Sequence, residues 1–283
     1  DPKDAARELF ALVCDPKQPP RHEQVSTMHR VDQPGIIRVV DWKVIDWPLE
    51  ERRCPVLIYE RPRGKRVIDS IESSITVSSD DRIIQNFIKP VATALREIDH
   101  QNLTHRAIRP TNLFYDSVSV PQATIMLGEC LASPPAMNQP AAYEPVESAL
   151  ASSSGRGLGT ISDDLYAFGV SILAFLIGQS PGHGLSEEEI NTAKLERGSY
   201  NALISGHRLS LTMLEVVRGL LMDDVEERWT LDDVDLWLAG RRLSPKQQEM
   251  PRATQPFAFG GQNILTGRNV AHALAKGWKT AIE

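Results

Sequence analysis

Apolar residues follow two rhythms along the 283-residue chain. Up to about residue 66 they form short runs closed by proline and glycine. Leu9–Cys14 ends at Asp15-Pro16, Gly35–Trp42 opens after Pro34, and Cys54–Tyr59 closes at Arg61-Pro62-Arg63-Gly64. Such runs, rich in β-branched residues, predict strands. The polar stretch 18–31 has room for one short helix. After about residue 70 the rhythm becomes helical. Ile83, Ile84, Phe87, Ile88, Val91, Ala92, Leu95 and Ile98 recur at i, i+3/i+4 and i+7, with Ser79 or Asp80 as N-cap. Pro90 inside that pattern predicts a kink.

Phe168–Ile177 is apolar on every side and predicts a central buried helix. Further helices are predicted at Leu185–Ala193, Leu211–Met222 and Leu231–Leu238. Ser186 with Glu189, and Thr230 with Asp233, have capping-box spacing, the second with a poorer partner. Strands first and helices later indicate an α+β fold whose helices are segregated from its sheet. In the tail, 251–261 reads as extended. Val270, Leu274, Trp278 and Ile282 then recur every four residues. That is a helical stripe that packs on its own domain, begins another domain, or enters a partner's groove.

Composition narrows the classes. Hydrophobic residues at 41% and charged residues at 24% suit a folded globular chain and are too apolar for a disordered one. A net charge of -6 argues against a nucleic-acid partner. No stretch reaches the roughly 18 apolar residues of a membrane helix, so no membrane segment is expected. Cys14, Cys54 and Cys130 are far apart with no C-x-x-C, which argues against a disulfide scaffold and a Cys-rich zinc site. They suggest a reducing, cytoplasmic location. The 7 histidines are scattered without an H-x-x-x-H pair, so no metal site is expected.

Two motifs fail on context. Gly178-Gln179-Ser180-Pro181-Gly182 spells G-x-S-x-G, but a helix precedes it and Pro181 follows the serine, where a nucleophile elbow needs strand, turn and helix. Gly155-Arg156-Gly157-Leu158-Gly159 lacks the last glycine of a dinucleotide loop and reads as a linker. Asp163-Asp164 and Asp223-Asp224 read as helix caps.

One stretch carries a resemblance. His105-Arg106-Ala107-Ile108-Arg109-Pro110-Thr111-Asn112 resembles the catalytic loop of the eukaryotic-type protein kinases, H-R-D-L-K-P-x-N. Further motifs follow in the family's order. Gly128-Glu129-Cys130-Leu131-Ala132 stands where that family has D-F-G followed by Leu-Ala. Tyr143-Glu144-Pro145-Val146-Glu147 resembles Y-x-A-P-E, and Asp164–Val170 resembles D-x-W-S-x-G-V. Arg228 stands at the family's late arginine. The resemblance covers roughly 5–242 and is strongest in the helical part. It implies a bilobal protein-kinase-like fold: a reduced β-rich N-lobe at 1–66, a helical C-lobe at 67–243, and an extension at 244–283. It also implies that Asp164 ties down the catalytic-loop backbone and that Glu147 and Arg228 form a buried pair. His105 and Arg106 keep their motif positions. The segment 131–142 offers only Ser133 for phosphorylation, which favours a structural role for Arg106.

The departures decide the expected function. Phosphoryl transfer rests on positioning and charge neutralisation. Ala107 stands where the family has its catalytic Asp, and Gly128 where it has its metal-binding Asp. Ala11-Leu12-Val13-Cys14 offers no lysine, and Asp1–Glu8 contains no glycine for a phosphate-covering loop. Loss of a general base alone costs about 10²–10⁴ in rate. Loss of metal assistance removes several kcal/mol more. The expectation is a catalytically inactive kinase-like domain, a pseudokinase, acting as a protein-interaction or regulatory scaffold with no cofactor. Its partners would be other proteins or other domains of the same chain. The alternative is an atypical Ser/Thr kinase or ATP-binding phosphotransferase that holds Mg²⁺ through Glu129 and Asn112. A third reading puts another small ligand in the old nucleotide cleft.

Overall fold

The computed structural model describes residues 8–49, 51–120, 122–242, 257–259 and 263–265. Three runs pair as an antiparallel sheet: β1 (Leu9–Val13), β2 (Val39–Trp47) and β3 (Arg52–Glu60), in the order β1-β3-β2. The central strand β3 buries Val56, Leu57 and Tyr59, while Asp41 and Lys43 on the edge strand β2 are exposed. The short helix α1 (His22–Met28) turns Val25 and Met28 into the core.

The strand expected at Gly35–Trp42 is shifted. It begins at Val39 and runs on to Trp47. Residues 35–37 instead join the sheet to the helical part. Leu127 N–H donates to Gly35 O at 2.8 Å, and Ile37 N–H donates to Leu127 O at 2.9 Å. Gly35 is a close-approach glycine, because a Cβ there would lie 2.5 Å from Pro90 O.

The long helical stretch comes in three pieces: α2 (Asp80–Ile83), a π turn over Ile84–Ile88, and α3 (Lys89–His100). Pro90 has no N–H to donate, and its ring crowds the carbonyl four residues earlier. The wider turn just before it takes up that mismatch, so the chain stays helical across the proline. Ser79 has extended N-cap dihedrals but makes no side-chain cap bond.

α3 leads through the motif stretch to a hairpin of β4 (Leu113–Tyr115) and β5 (Ile125–Leu127). α4 (Val146–Ala149) is a single turn. α5 (Ile161–Ile177) starts seven residues before its apolar run, because its first turn is polar and closed by the Thr160–Asp163 capping box. From Asp164 to Phe175 it is buried, and it ends at Gly178 with φ 81°. The remaining helices are α6 (Glu187–Arg197), α7 (Ser199–Ile204), α8 (Leu211–Leu220) and α9 (Leu231–Leu238). Gly169 lets α8 approach α5, since a Cβ there would lie 2.7 Å from Leu220 Cβ.

One cluster of buried apolar side chains runs from Cys14 beside the sheet to Trp237 in α9. Phe87 sits within it, edge-on to Phe168 and tilted against Phe175. The result is a mixed α+β architecture with its sheet ahead of its helices. Among the described residues no helix is long and apolar enough to cross a membrane. β6 (Phe257–Phe259) and β7 (Asn263–Leu265) pair as a short hairpin. The stripe at 270–282, and the residues 1–7 examined for a glycine loop, lie outside the described residues.

Candidate functional site

The stretch His105–Asn112 is held from below by the first turn of α5. Asp164 is fully buried and accepts from His105 N–H at 2.6 Å and Arg106 N–H at 2.7 Å. Burial pushes its carboxyl up to about 6, against the pull of Arg106 and the two backbone donors. Arg21, at the start of α1, pins the same loop from the sheet side. Its Nη1 donates to His105 O and to Cys130 O, both at 3.2 Å.

His105 is buried between these ties. Its Nε2 lies 3.1 Å from Gly128 O, and its Nδ1 lies 3.3 Å from Ala107 N. The backbone N–H must donate to Nδ1, so Nε2 carries the proton and donates to the carbonyl. Burial drives the imidazole down to about 3, with Gly128 O pulling the other way and Arg21 and Arg109 adding to the fall.

This makes a pH prediction with a definite sign. The folded value lies below the ordinary 6.5. Between about pH 3 and 6.5 the unfolded chain therefore binds the extra proton, and His105 makes stability rise with pH across that window. Asp164 at about 6, and Glu144 at about 7, are both raised, so each lowers stability as pH climbs from its ordinary value to its folded one. The wild-type curve is thus muted, and the contrast with His105→Asn isolates the imidazole. Urea unfolding at pH 5 and 6.2 is expected to show a wild-type slope more positive than the variant's by up to about 1.4 kcal/mol per pH unit. Equal slopes would mean that the buried imidazole takes up its proton in the fold.

Ala107 is half-buried, and its side chain offers no polar atom. Asn112 is committed to its surroundings: its Nδ2 donates to Ala107 O at 2.9 Å and to Glu129 O at 2.8 Å. Gly128 N–H donates to Asn112 O at 2.8 Å. A Cβ on Gly128 would overlap Asn112 Oδ1 and lie 2.5 Å from Asn112 O. Glu129 folds back on its own chain. Its Oε2 accepts from Ala132 N–H at 2.9 Å, from Leu131 N–H at 3.1 Å, and from the Tyr59 hydroxyl at 3.4 Å.

The segment after Glu129 is latched by buried cations. Arg106, at φ 58°, donates from Nη2 to Glu144 Oε2 at 2.7 Å, with both side chains 1% exposed. Burial pushes the Glu144 carboxyl up to about 7 against Arg106 and Arg156. Lys194 of α6 is fully buried. Its Nζ donates to Glu144 O at 2.6 Å, Ala141 O at 2.7 Å and Ala142 O at 3.3 Å. Arg156 donates to Ala136 O and Gln139 O. Gln139 in turn donates to Ile108 O and accepts from Arg109 Nη1.

The pair expected from Glu147 and Arg228 forms, but only its arginine is buried. The two come only within 3.8 Å, with Arg228 sealed and Glu147 35% exposed. Arg228 spends its donors on Met222 O at 2.8 Å and on Ser162 O and Oγ at 3.2 Å, and it lies over the Tyr166 ring. The tight buried pair is Arg106–Glu144. Glu144 had stood in the sequence at an unconstrained place of the Y-x-A-P-E likeness. Nothing marked Arg21, Arg156 or Lys194. Ser180 of the rejected G-x-S-x-G is buried and accepts from the Tyr143 hydroxyl at 3.1 Å.

No protein-family model matches the chain. It is 24% identical over 260 residues to the serine/threonine-protein kinase TOS3 of Saccharomyces cerevisiae, covering 81% of this chain and 45% of that kinase. It is 24% identical over 237 residues to MAP kinase-activated protein kinase 2 of Oryctolagus cuniculus, covering 80% and 63%. The serine/threonine-protein kinase dkf-2 of Caenorhabditis briggsae is likewise 24% identical over 78% of this chain and 18% of its own length. The chain thus spans less than two thirds of each of these relatives. It is a distant relative of the Ser/Thr protein kinases, with a kinase-like α+β fold.

Proposed function

We propose that this is a catalytically inactive kinase-like domain that works as a protein-interaction or regulatory scaffold. The observation that carries this reading is the seat of Asn112 against Gly128, where a metal-holding aspartate would have to stand. A kinase neutralises its phosphates with magnesium held by that Asp and by an Asn, and steers the acceptor hydroxyl with a second Asp. Here Asn112 bonds its own loop, Glu129 caps two backbone N–H groups, and the Ala107 side chain has no acceptor. The donors present do not fit the magnesium of a kinase, and we derive no step through it. A division into lobes at 66/67, with 244–283 as an extension, belongs to the same reading. Three free, buried cysteines fit the proposed cytoplasmic location.

The test is thermal unfolding with and without Mg-ATP, together with a radiolabelled transfer assay. A ligand at a hundredfold over its Kd would stabilise the fold by about 2.7 kcal/mol. No shift and no transfer are expected. Transfer that disappears in Asn112→Ala and Glu129→Gln would overturn the reading in favour of an atypical phosphotransferase.

A further inference from the structure

The strap between β3 and β4 has the charge opposite to that of the whole chain. Arg61, Arg63, Lys65 and Arg66 place four cations in six residues of a protein whose net charge is -6. All four are exposed.

The backbone beneath them is fixed. Arg61 N–H donates to Glu8 O at 2.9 Å, beside β1. At the other end Gly64 N–H donates to Tyr115 O at 3.1 Å, Tyr115 N–H to Lys65 O at 3.0 Å, and Val67 N–H to Leu113 O at 2.9 Å. Gly64 makes this approach feasible, since a Cβ there would lie 2.6 Å from Tyr115 Cβ. Pro62 locks one more φ. Arg66 rests its guanidinium over the Phe114 ring, 5.3 Å from the centroid. Arg61, Arg63 and Lys65 make no side-chain ion pair or hydrogen bond among the described residues, although Glu8 and Glu60 stand at one end of the strap.

We propose that this strap is a docking platform for an acidic protein segment. Three unpaired cations on a tethered backbone form a preorganised row, so binding there orders side chains but little main chain. Among the described residues these charges join nothing internal, so fold stability is not expected to need the row. Charge complementarity selects the partner's sign and speeds its encounter. A short acidic peptide meets only the row, within the screening length of about 8 Å. A long polyanion also meets the field of the acidic remainder. Arg61, Arg63 and Lys65 take alternate positions of the sequence, a spacing that suits several carboxylates in sequence better than a lone phosphate. The proposal stands whether or not the cleft transfers phosphate.

The experiment is fluorescence anisotropy with a labelled ten-glutamate peptide, a ten-serine peptide and a forty-nucleotide uridine RNA. The full chain is compared with the triple variant Arg61→Glu, Arg63→Glu, Lys65→Glu, and with the milder pair Arg63→Gln, Lys65→Gln. The acidic peptide is expected to bind the wild type in preference to the other two probes, and to weaken as salt rises. The triple variant should bind it at least tenfold more weakly with an unchanged melting temperature. If the triple variant melts early, the milder pair decides, with about a threefold loss expected. Unchanged affinity in the variants, or tighter binding of the RNA or the serine peptide, would overturn the proposal. Failure here leaves the Mg-ATP result untouched, so the two readings are separable.

Discussion

Restoring the missing metal ligand by Gly128→Asp is expected to damage the fold and to yield no phosphotransfer. The site is filled from the other side: Asn112 Oδ1 occupies the volume of a Cβ at residue 128, and Asn112 O lies 2.5 Å from it. Asn112 cannot step aside without breaking its bonds to Ala107 O and Glu129 O. Overpacking of this kind costs about 1–3 kcal/mol. A carboxylate adds to that, because the nearest groups are acceptors and leave it unpaired in a buried place. A melting temperature lower by roughly 5–10 °C is expected, at about 2–4 °C per kcal/mol for a domain near this size. Gly128→Ala separates the steric part and should show most of the shift. Ala107→Asp adds its carboxylate at a half-buried position and should be far milder. If Gly128→Asp melts with the wild type, the seat of Asn112 is wrong and the argument for lost chemistry weakens with it.

The second large effect concerns the latch. Removing one side of a buried ion pair strands the other charge and costs about 3–5 kcal/mol. Arg106→Gln should fall in that range, because it strands a Glu144 side chain that is 1% exposed, while Glu144→Gln should cost less, because Arg106 keeps Asp163 at 3.7 Å. Glu147→Gln should cost no more than about 1 kcal/mol, as for surface pairs, since Glu147 is 35% exposed and 3.8 Å from Arg228. Urea unfolding of the three variants checks the ranking. If Glu147→Gln proved the costliest, the assignment of the buried pair would be reversed. In this latch a carboxylate built into the chain meets Arg106.

Local features were legible early because their energetics are local. The Ser186–Glu189 and Thr230–Asp233 capping boxes form at the expected residues, and α9 keeps the expected bounds Leu231–Leu238. Each depends on atoms within one helical turn. The errors came where the chain's path mattered. Ile36 and Ile37 have strand-forming side chains, yet Leu127 draws the backbone of 35–37 away from the sheet. The polar first turn of α5 concealed its start, because Asp164 is buried for the sake of two distant N–H groups.

By itself the sequence determined the α+β order, the kinase-like motif positions, and the absence of acid at 107 and 128. These follow from residue type and short spacing, which need no knowledge of the path between elements. Only the tertiary structure decided what fills the places where the kinase motifs have their two acids. Asn112 sits against Gly128, Glu129 turns onto its own backbone, and Arg106 reaches Glu144 across 38 residues. A charged side chain carries no record of its partner in the sequence. The partner is chosen by which buried groups the folded backbone brings within hydrogen-bond reach once water is gone.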